Sequence, residues 1–463
     1  MLKIPRVVVA GLRGGSGKTT LSVGLTAALK RRGLRVVPFK KGPDYIDAGW
    51  LGAASGTDCF NLDQYIAGKP VSSLVAHAHG ADMAVIEGNR GLFDGMDAEG
   101  SFSTSRLARE LKAPVILIID ATKTTRTNAA VVSGVKKFEA GLNLAGIVLN
   151  KVGGKRHESL SRQTIEKYTK IKVVGAIPRL DKTSEMPERH MGLTPWHEHA
   201  SVEEAIAAAA DLVENYVDVD AIIRVSRKAP ALRGALPKAV KPPEFGPVIG
   251  VIRDSAFQFY YPENFEELER HGARIIEVSA LTEREVPEVD ALYLGGGFPE
   301  THAIALGKNK SFMKSLRSHA LMGLPIYAEC GGLMYLGDTI ELMGRKHKMA
   351  GVLPVRFSMK VKPHAHGYTE VIVSGRNPFY KARTVLRGHE FHYSEITNAA
   401  DLKANREIRF AFRVKRGKGI AGNMEGIAWQ NVLATYNHTH ALGTPEWAEG
   451  MVRAANEYRS RRR

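Results

Sequence analysis

Short apolar runs recur along the first half of the chain, and stretches of helical spacing separate several of them. Arg6-Val-Val-Val-Ala, Leu34-Arg-Val-Val-Pro-Phe, Met83-Ala-Val-Ile-Glu, Pro114-Val-Ile-Leu-Ile-Ile-Asp, Leu144-Ala-Gly-Ile-Val-Leu-Asn and Val173-Val-Gly-Ala-Ile-Pro read as strands. Thr19 to Arg32 and Asn128 to Gly141 read as helices. Near-continuous apolar strands alternating with helices imply a parallel sheet covered on both faces. The pattern dissolves over 227–247, where five prolines and scattered basic residues leave no apolar period. Strands resume with Val248-Ile-Gly-Val-Ile, Ala273-Arg-Ile-Ile-Glu-Val, Ala291-Leu-Tyr-Leu and Pro325-Ile-Tyr-Ala, and the region from Gly351 onward is more β-rich. The expected fold is α/β: one parallel-sheet domain over 1–226, a linker over 227–247, and a second α/β domain over 248–463.

Composition narrows the setting. A chain of 463 residues exceeds one ordinary core, and 44% hydrophobic content excludes extensive disorder. No apolar run reaches the roughly 18 residues of a transmembrane helix, and the N-terminus leads into a strand without a signal-peptide pattern. Two cysteines, Cys59 and Cys330, cannot build a disulfide framework, so a cytoplasmic setting is expected. Lys and Arg (65) exceed Asp and Glu (48), which suits anionic partners. Much of the excess lies in the linker and in Arg459-Ser-Arg-Arg-Arg463, where solvation explains it. No recognition helix, zinc-finger spacing or stacking-aromatic motif points to nucleic acid.

Gly11-Leu-Arg-Gly-Gly-Ser-Gly-Lys-Thr-Thr20 follows the first strand and opens a helix. The amides around Gly14, Gly15 and Gly17 would cradle phosphates, with Lys18, Thr19 and Thr20 completing an ATP site. Lys18 would reach the β/γ-phosphates, and the Thr19 hydroxyl a Mg²⁺ ion. The first glycine stands one residue early for the standard pattern, which is the deviant P-loop type; Arg13 occupies a place where that group often has lysine. Two acidic clusters follow at strand ends, Lys40-Lys-Gly-Pro-Asp-Tyr-Ile-Asp47 and Glu87-Gly-Asn-Arg-Gly-Leu-Phe-Asp94. Ligands of open α/β sheets bind at such ends. Glu87 and Asp44 are expected to serve Mg²⁺, leaving Asp47 and Asp94 for substrate handling or proton transfer.

In the second half, Tyr327-Ala-Glu-Cys330-Gly-Gly-Leu-Met sets a cysteine on a sharp strand-to-helix turn. A helix N-terminus there is expected to favour thiolate. Leu292-Tyr-Leu-Gly-Gly-Gly297 ends a strand in glycines, and the amides of Gly296 and Gly297 would receive an oxyanion. Tyr436-Asn-His438-Thr-His440 offers a base. Cysteine, histidine and a glycine-rich strand end suit glutamine hydrolysis through a thioester. His389-Glu-Phe-His392 is one residue short of a zincin motif, and Cys59 reads as structural.

Taken in order, these motifs together with Phe257-Gln-Phe-Tyr-Tyr-Pro-Glu-Asn264 and Gly388-His-Glu-Phe-His-Tyr-Ser394 resemble the cobyrinate a,c-diamide synthase family over essentially the full length. The resemblance implies a carbon–nitrogen ligase with a P-loop domain and a class I glutamine amidotransferase domain. ATP with Mg²⁺ would phosphorylate the a- and c-acetates of a tetrapyrrole, and ammonia from glutamine would displace phosphate. By matching position, Asp44 and Glu87 would serve ATP and Mg²⁺, Asp47 and Asp94 the substrate, and Cys330 and His438 glutamine. Relatives acting on sirohaem or nickel-sirohydrochlorin, and a MinD-like ATPase with a degenerate amidotransferase module, are the competing readings. Triad amidotransferases carry glutamate two residues after the histidine. That place is His440 here, so a Cys330–His438 dyad is expected, with His440 as the competing base. The expected partners are a tetrapyrrole polycarboxylate, ATP and glutamine, with no nucleic acid and no membrane; a homodimer is left open.

Overall fold

The computed structural model describes residues 1–180, 188–189, 192–193, 196, 201–236 and 244–462. It divides into two compact units, Met1–Gln64 with Lys69–Lys238, and Tyr65–Gly68 with Ala239–Arg463.

The first unit is built on a seven-stranded sheet. Its strands are β1 (Arg6–Gly11), β2 (Val36–Lys41), β3 (Phe60–Leu62), β4 (Met83–Glu87), β5 (Val115–Asp120), β6 (Leu144–Val152) and β7 (Val173–Pro178). They lie in the order β3-β2-β4-β1-β5-β6-β7, every neighbouring pair parallel. β1, β2 and β4 are buried throughout, which is why they read as continuous apolar runs. Each fully buried Val, Ile or Leu contributes about 1.5–3 kcal/mol. Strand order reverses beside β1, and the carboxyl ends of β1, β2 and β4 open there; that crevice is where such sheets bind ligands. Helix α1 (Lys18–Arg31) follows β1, and α2 (Ile46–Ser55) follows β2.

The expected linker is corrected at its start. Ala229 and Leu232 are buried in the first unit, Leu232 bridges Leu2, and the buried Arg6 guanidinium donates to the Pro230 carbonyl. Proline blocks regular structure there without freeing the segment from the core. Residues 237–243 of that expectation, and Arg463 of the basic tail, lie outside the described residues.

The second unit has a ten-stranded mixed sheet. Its parallel part runs Arg274–Val278, Val248–Ile252, Ala291–Leu294, Ile326–Glu329, Val432–Thr435. Antiparallel strands continue it through Met424–Trp429, Arg409–Arg416, Ala365–Val373, Val385–His392 and the short His438–Thr439. Gly295–Gly297, Cys330 and residues 436–440 follow the carboxyl ends of three strands that are neighbours in this sheet. Tyr293, Tyr327 and the fully buried Trp447 pack edge to face or tilted beneath them. Among the described residues no helix is long and apolar enough to cross a membrane.

Candidate active sites

In the first unit the P-loop turns on left-handed glycines, Gly15 (φ 69) and Gly17 (φ 92). A Cβ on Gly17 would stand 2.4 Å from Asn150 Nδ2, so only glycine fits. Asn150, at the end of β6, donates to the Ser16 carbonyl at 3.0 Å. It is a support that the linear motif does not reveal. Lys18 Nζ donates to the Arg13 carbonyl at 3.1 Å. Arg13 itself is exposed and pairs with Asp120 at 3.1 Å. Gly14 and Gly15 are exposed, and Thr20 opens α1 beside Thr19.

The two acidic clusters meet at one lysine. Lys40, the fifth residue of β2, is 2% exposed, and its Nζ lies 2.6 Å from Asp47 Oδ2 and 2.9 Å from Glu87 Oε1. Thr19 Oγ1 donates to the same Glu87 oxygen at 2.7 Å. Asp44 Oδ1 accepts the Asp47 amide at 2.9 Å. Asp94 Oδ2 accepts the Gly91 amide at 2.9 Å and thereby shapes its loop. That loop is tied to β1, because the Leu92 amide donates to the Gly11 carbonyl. Asp94 also lies near enough to Lys18 to act on its charge. The structure thus brings Thr19, Asp44, Asp47 and Glu87 together around Lys40, with Lys18 and Asp94 beside them. The linear motif alone assigns Lys40 no role. Its signal was a basic residue ending an apolar strand, where burial demands carboxylate partners.

Burial alone would lower the Lys40 pKa, but Asp47, Glu87 and Asp44 outweigh it and hold the ammonium charged. Burial, then Lys40, lowers the Lys18 pKa. Burial raises the Asp44 carboxyl to about 6, with Asp47 adding and Lys40 opposing. Burial likewise raises Glu87 to about 7 against the pull of Lys40. Glu87 Oε2 is buried with no hydrogen-bond partner. An orphaned carboxylate oxygen beside a P-loop threonine suits a hard cation, so the residues fit Mg²⁺. The ionised form of Glu87 is the one that attracts a cation. Mg²⁺-dependent ATP binding is therefore expected to weaken as pH falls through about 7. Below that value it should weaken by up to about tenfold per pH unit for each carboxylate that must lose a proton. Fluorescent-nucleotide titration between mildly acid and mildly alkaline pH checks this; a flat profile would exclude Glu87 as a cation ligand.

In the second unit Cys330 has φ 44 and ψ −98, a conformation that costs a non-glycine residue about 1–3 kcal/mol. Its amide donates to the Thr435 carbonyl at 2.8 Å, which pins the turn to the neighbouring strand. Gly331 cannot carry a Cβ, which would stand 2.9 Å from the Gly297 amide nitrogen. A Cβ on Gly296 would stand 2.5 Å from His438 Cε1. Gly296 and Gly297 are therefore packed against the histidine and the nucleophile turn. The Gly295 amide is already held by the Tyr260 hydroxyl at 2.8 Å.

Two expectations need correction here. The Cys330 thiol is not poised as thiolate: burial pushes its pKa up, and Glu300, Glu329 and Glu390 add to it. The Gly331 amide opposes this but is outweighed, and the helix behind it, Gly331–Leu336, has only six residues. A base must therefore take the proton. Nor does His438 lack a carboxylate, since its Nδ1 lies 3.3 Å from Glu329 Oε2. Glu329 escapes the triad motif because that motif places its acid two residues beyond the histidine and not one residue before the cysteine. His389 and His392 do not converge: His389 stacks on His438 at 4.8 Å, and His392 stacks on Tyr436 at 3.6 Å. Cys59 is buried among Trp50, Leu51 and Ala54 in the first unit.

Comparison with known proteins resolves the family. Residues 7–193 match the CobQ/CobB/MinD/ParA nucleotide binding domain, and residues 248–446 the CobB/CobQ-like glutamine amidotransferase domain. A cobyrinate a,c-diamide synthase of Magnetococcus marinus is 42% identical over 461 residues, covering 97% of each chain. One from Archaeoglobus fulgidus is 39% identical over 460 residues, covering 98% of each. The chain belongs to the cobyrinate a,c-diamide synthase family. It is accordingly a ligase with a nucleotide-binding domain and a glutamine amidotransferase domain. Apart from Tyr65–Gly68, the first match lies in the first unit, and the second match lies in the second, so the P-loop cluster and the Cys330 turn each stand in the domain whose chemistry they suit.

Proposed function

We propose that this protein amidates the a- and c-acetate carboxylates of cobyrinate, in the cytoplasm, using ATP, Mg²⁺ and glutamine. The observation that carries the substrate assignment is full-length similarity to cobyrinate a,c-diamide synthases, with P-loop, acidic clusters and cysteine turn all present in one chain. A carboxylate is a poor electrophile, and ammonia cannot expel oxide from it; phosphorylation supplies a leaving group. The acetate oxygen attacks the γ-phosphorus of ATP, ADP departs, and ammonia then displaces phosphate from the acyl carbon. The P-loop amides and Lys18 would hold the phosphates, while Thr19 and Glu87, with Asp44, would hold Mg²⁺. The chemistry Mg²⁺ supplies when bound is neutralisation of charge on the transferring phosphoryl group. Lys40 holds Glu87 and Asp47 in place through its two ion pairs. Asp47 and Asp94 would position the substrate carboxylate or accept the proton that ammonia loses on attack.

In the amidotransferase domain Cys330 adds to the glutamine carboxamide carbon as His438 takes its proton. Amides at Gly296 and Gly297 receive the oxyanion, ammonia leaves with the proton returned by His438, and water hydrolyses the thioester to glutamate. The test is to incubate the enzyme with ATP, glutamine and, separately, cobyrinate, sirohydrochlorin and sirohaem, and to weigh the products. Two successive carboxylate-to-amide conversions of cobyrinate are expected. Conversion of another tetrapyrrole in its place would overturn the substrate assignment. Transfer of heavy oxygen from a labelled acetate into phosphate would test the acyl phosphate; unlabelled phosphate would exclude it.

A further inference from the structure

A buried polar network stands behind His438, and it is built from motifs to which the ligase chemistry gives no task. His440, where a triad acid would be, is engaged elsewhere. Its Nδ1 accepts the Leu442 amide at 3.3 Å, its Nε2 lies 3.6 Å from Glu263 Oε2, and its ring packs on Tyr261 at 4.6 Å. Glu329 is fully buried and turned to His438 instead. Its Oε1 accepts the Thr439 amide at 3.2 Å, and the Tyr293 hydroxyl donates to Oε2 at 3.4 Å. Asn264 holds both ends of this arrangement. Its Nδ2 donates to the Thr439 carbonyl at 3.0 Å and to the Tyr293 hydroxyl at 3.4 Å, and its Oδ1 accepts the Ala441 amide at 2.8 Å. Across the ring, Tyr261 meets His389 at 3.4 Å, and His389 stacks on His438.

We infer that Glu329 is the positioning acid of the glutaminase, supplied by the residue immediately before the nucleophile, and that Asn264, Tyr293 and Thr439 hold it there. The inference rests on the reading of Cys330 as the glutamine nucleophile. A buried carboxylate is tolerated when donors surround it, and Glu329 has the Thr439 amide, the Tyr293 hydroxyl and the imidazole. By accepting Nδ1–H it selects the tautomer whose Nε2 lone pair can take the thiol proton. It then stabilises the imidazolium formed when that proton has moved. Successive residues on a strand point to opposite faces. The positive φ at Cys330 breaks that alternation directly after Glu329, so acid and thiol can address one imidazole.

The test uses the full-length protein with Glu329→Gln and Glu329→Asp. Glutaminase kcat is expected to fall about 10²–10⁴-fold in Glu329→Gln, with KM within about threefold, and to recover partly in Glu329→Asp. Groups that face His438 include Glu329, His389 and, farther along the same strand, His392; burial lowers the pKa of both histidines. Loss of Glu329 removes a carboxylate that meets His438 Nδ1, so the acid limb of kcat/KM should move to lower pH, a shift that mere loosening of structure would not produce. Wild-type kcat and pH profile in Glu329→Gln would overturn the inference. Should that variant fail to fold, Tyr293→Phe, which removes one donor to Glu329, is expected to lower kcat several-fold with KM unchanged; wild-type kcat there would overturn it equally. Cys330→Ala, assayed alongside, separates the two levels. Persisting glutaminase in that variant defeats the nucleophile reading, whereas its loss together with an unaffected Glu329→Gln defeats only the role of Glu329.

Discussion

Cys330→Ala is expected to lower glutamine-dependent amidation by about 10³-fold or more, while ammonium salts restore product formation. The sulfur forms the covalent bond to the glutamine acyl carbon, and no other described cysteine can replace it, since Cys59 is buried in the other unit. Alanine keeps the backbone of the strained turn, so the variant tests the thiol and not the fold. Ammonium bypasses the missing step because the acyl carbon accepts ammonia whatever its source. Rates of product formation with each nitrogen donor, on one protein preparation, check this. A variant that still uses glutamine at the wild-type rate would contradict the thiol mechanism. One that uses neither donor would show that Cys330 also supports the ligase.

Lys40→Met is expected to lower amidation from both donors by about 10²–10³-fold and to leave glutaminase activity in place. Lys40 and Glu87 are buried, and Lys40 holds Asp47 and Glu87 at 2.6 and 2.9 Å. Removing one partner from a buried charge network destabilises by about 3–5 kcal/mol, because the remaining charges lose compensation. Glu87 and Asp44, already raised to about 7 and about 6, would rise further and bind a proton at neutral pH. A protonated Glu87 attracts neither Mg²⁺ nor the Thr19 hydroxyl in the same geometry. Ammonium-dependent synthesis and nucleotide-dependent thermal stabilisation are the readouts, with losses of about 10²–10³-fold in rate. Lys40→Arg should recover little, since a guanidinium is too large for the space an ammonium fills. Wild-type ammonium-dependent rates in Lys40→Met would reduce Lys40 to a packing residue.

What the chain discloses before folding divides along physical lines. β1, β4 and β5 are near-continuous apolar runs because both faces of a parallel strand are buried, so pattern alone locates them. The three-residue β3, Phe60-Asn-Leu, carries too little pattern to be told from a loop. The P-loop, the Cys330 turn and the glycines at 296 and 297 are legible because glycine and its neighbours answer local backbone demands. Lys40, Asn150 and Glu329 are not, since each is defined by what tertiary packing sets opposite it. Lys40 takes meaning from Glu87, 47 residues away. Glu329 takes meaning from His438, 109 residues away. The Cys330 thiol illustrates the reverse error. A local rule about helix N-termini favours thiolate, but burial and three carboxylates decide otherwise.

The most direct test of the whole account supplies the enzyme with amide-nitrogen-labelled glutamine, ATP, Mg²⁺ and cobyrinate, and follows the label by mass. The expected result is label in both newly formed amides, at the a and c side chains, with ADP and phosphate formed in step with each. Labelled ammonia accumulating beside unchanged cobyrinate, or amide formed without ATP consumption, would contradict it.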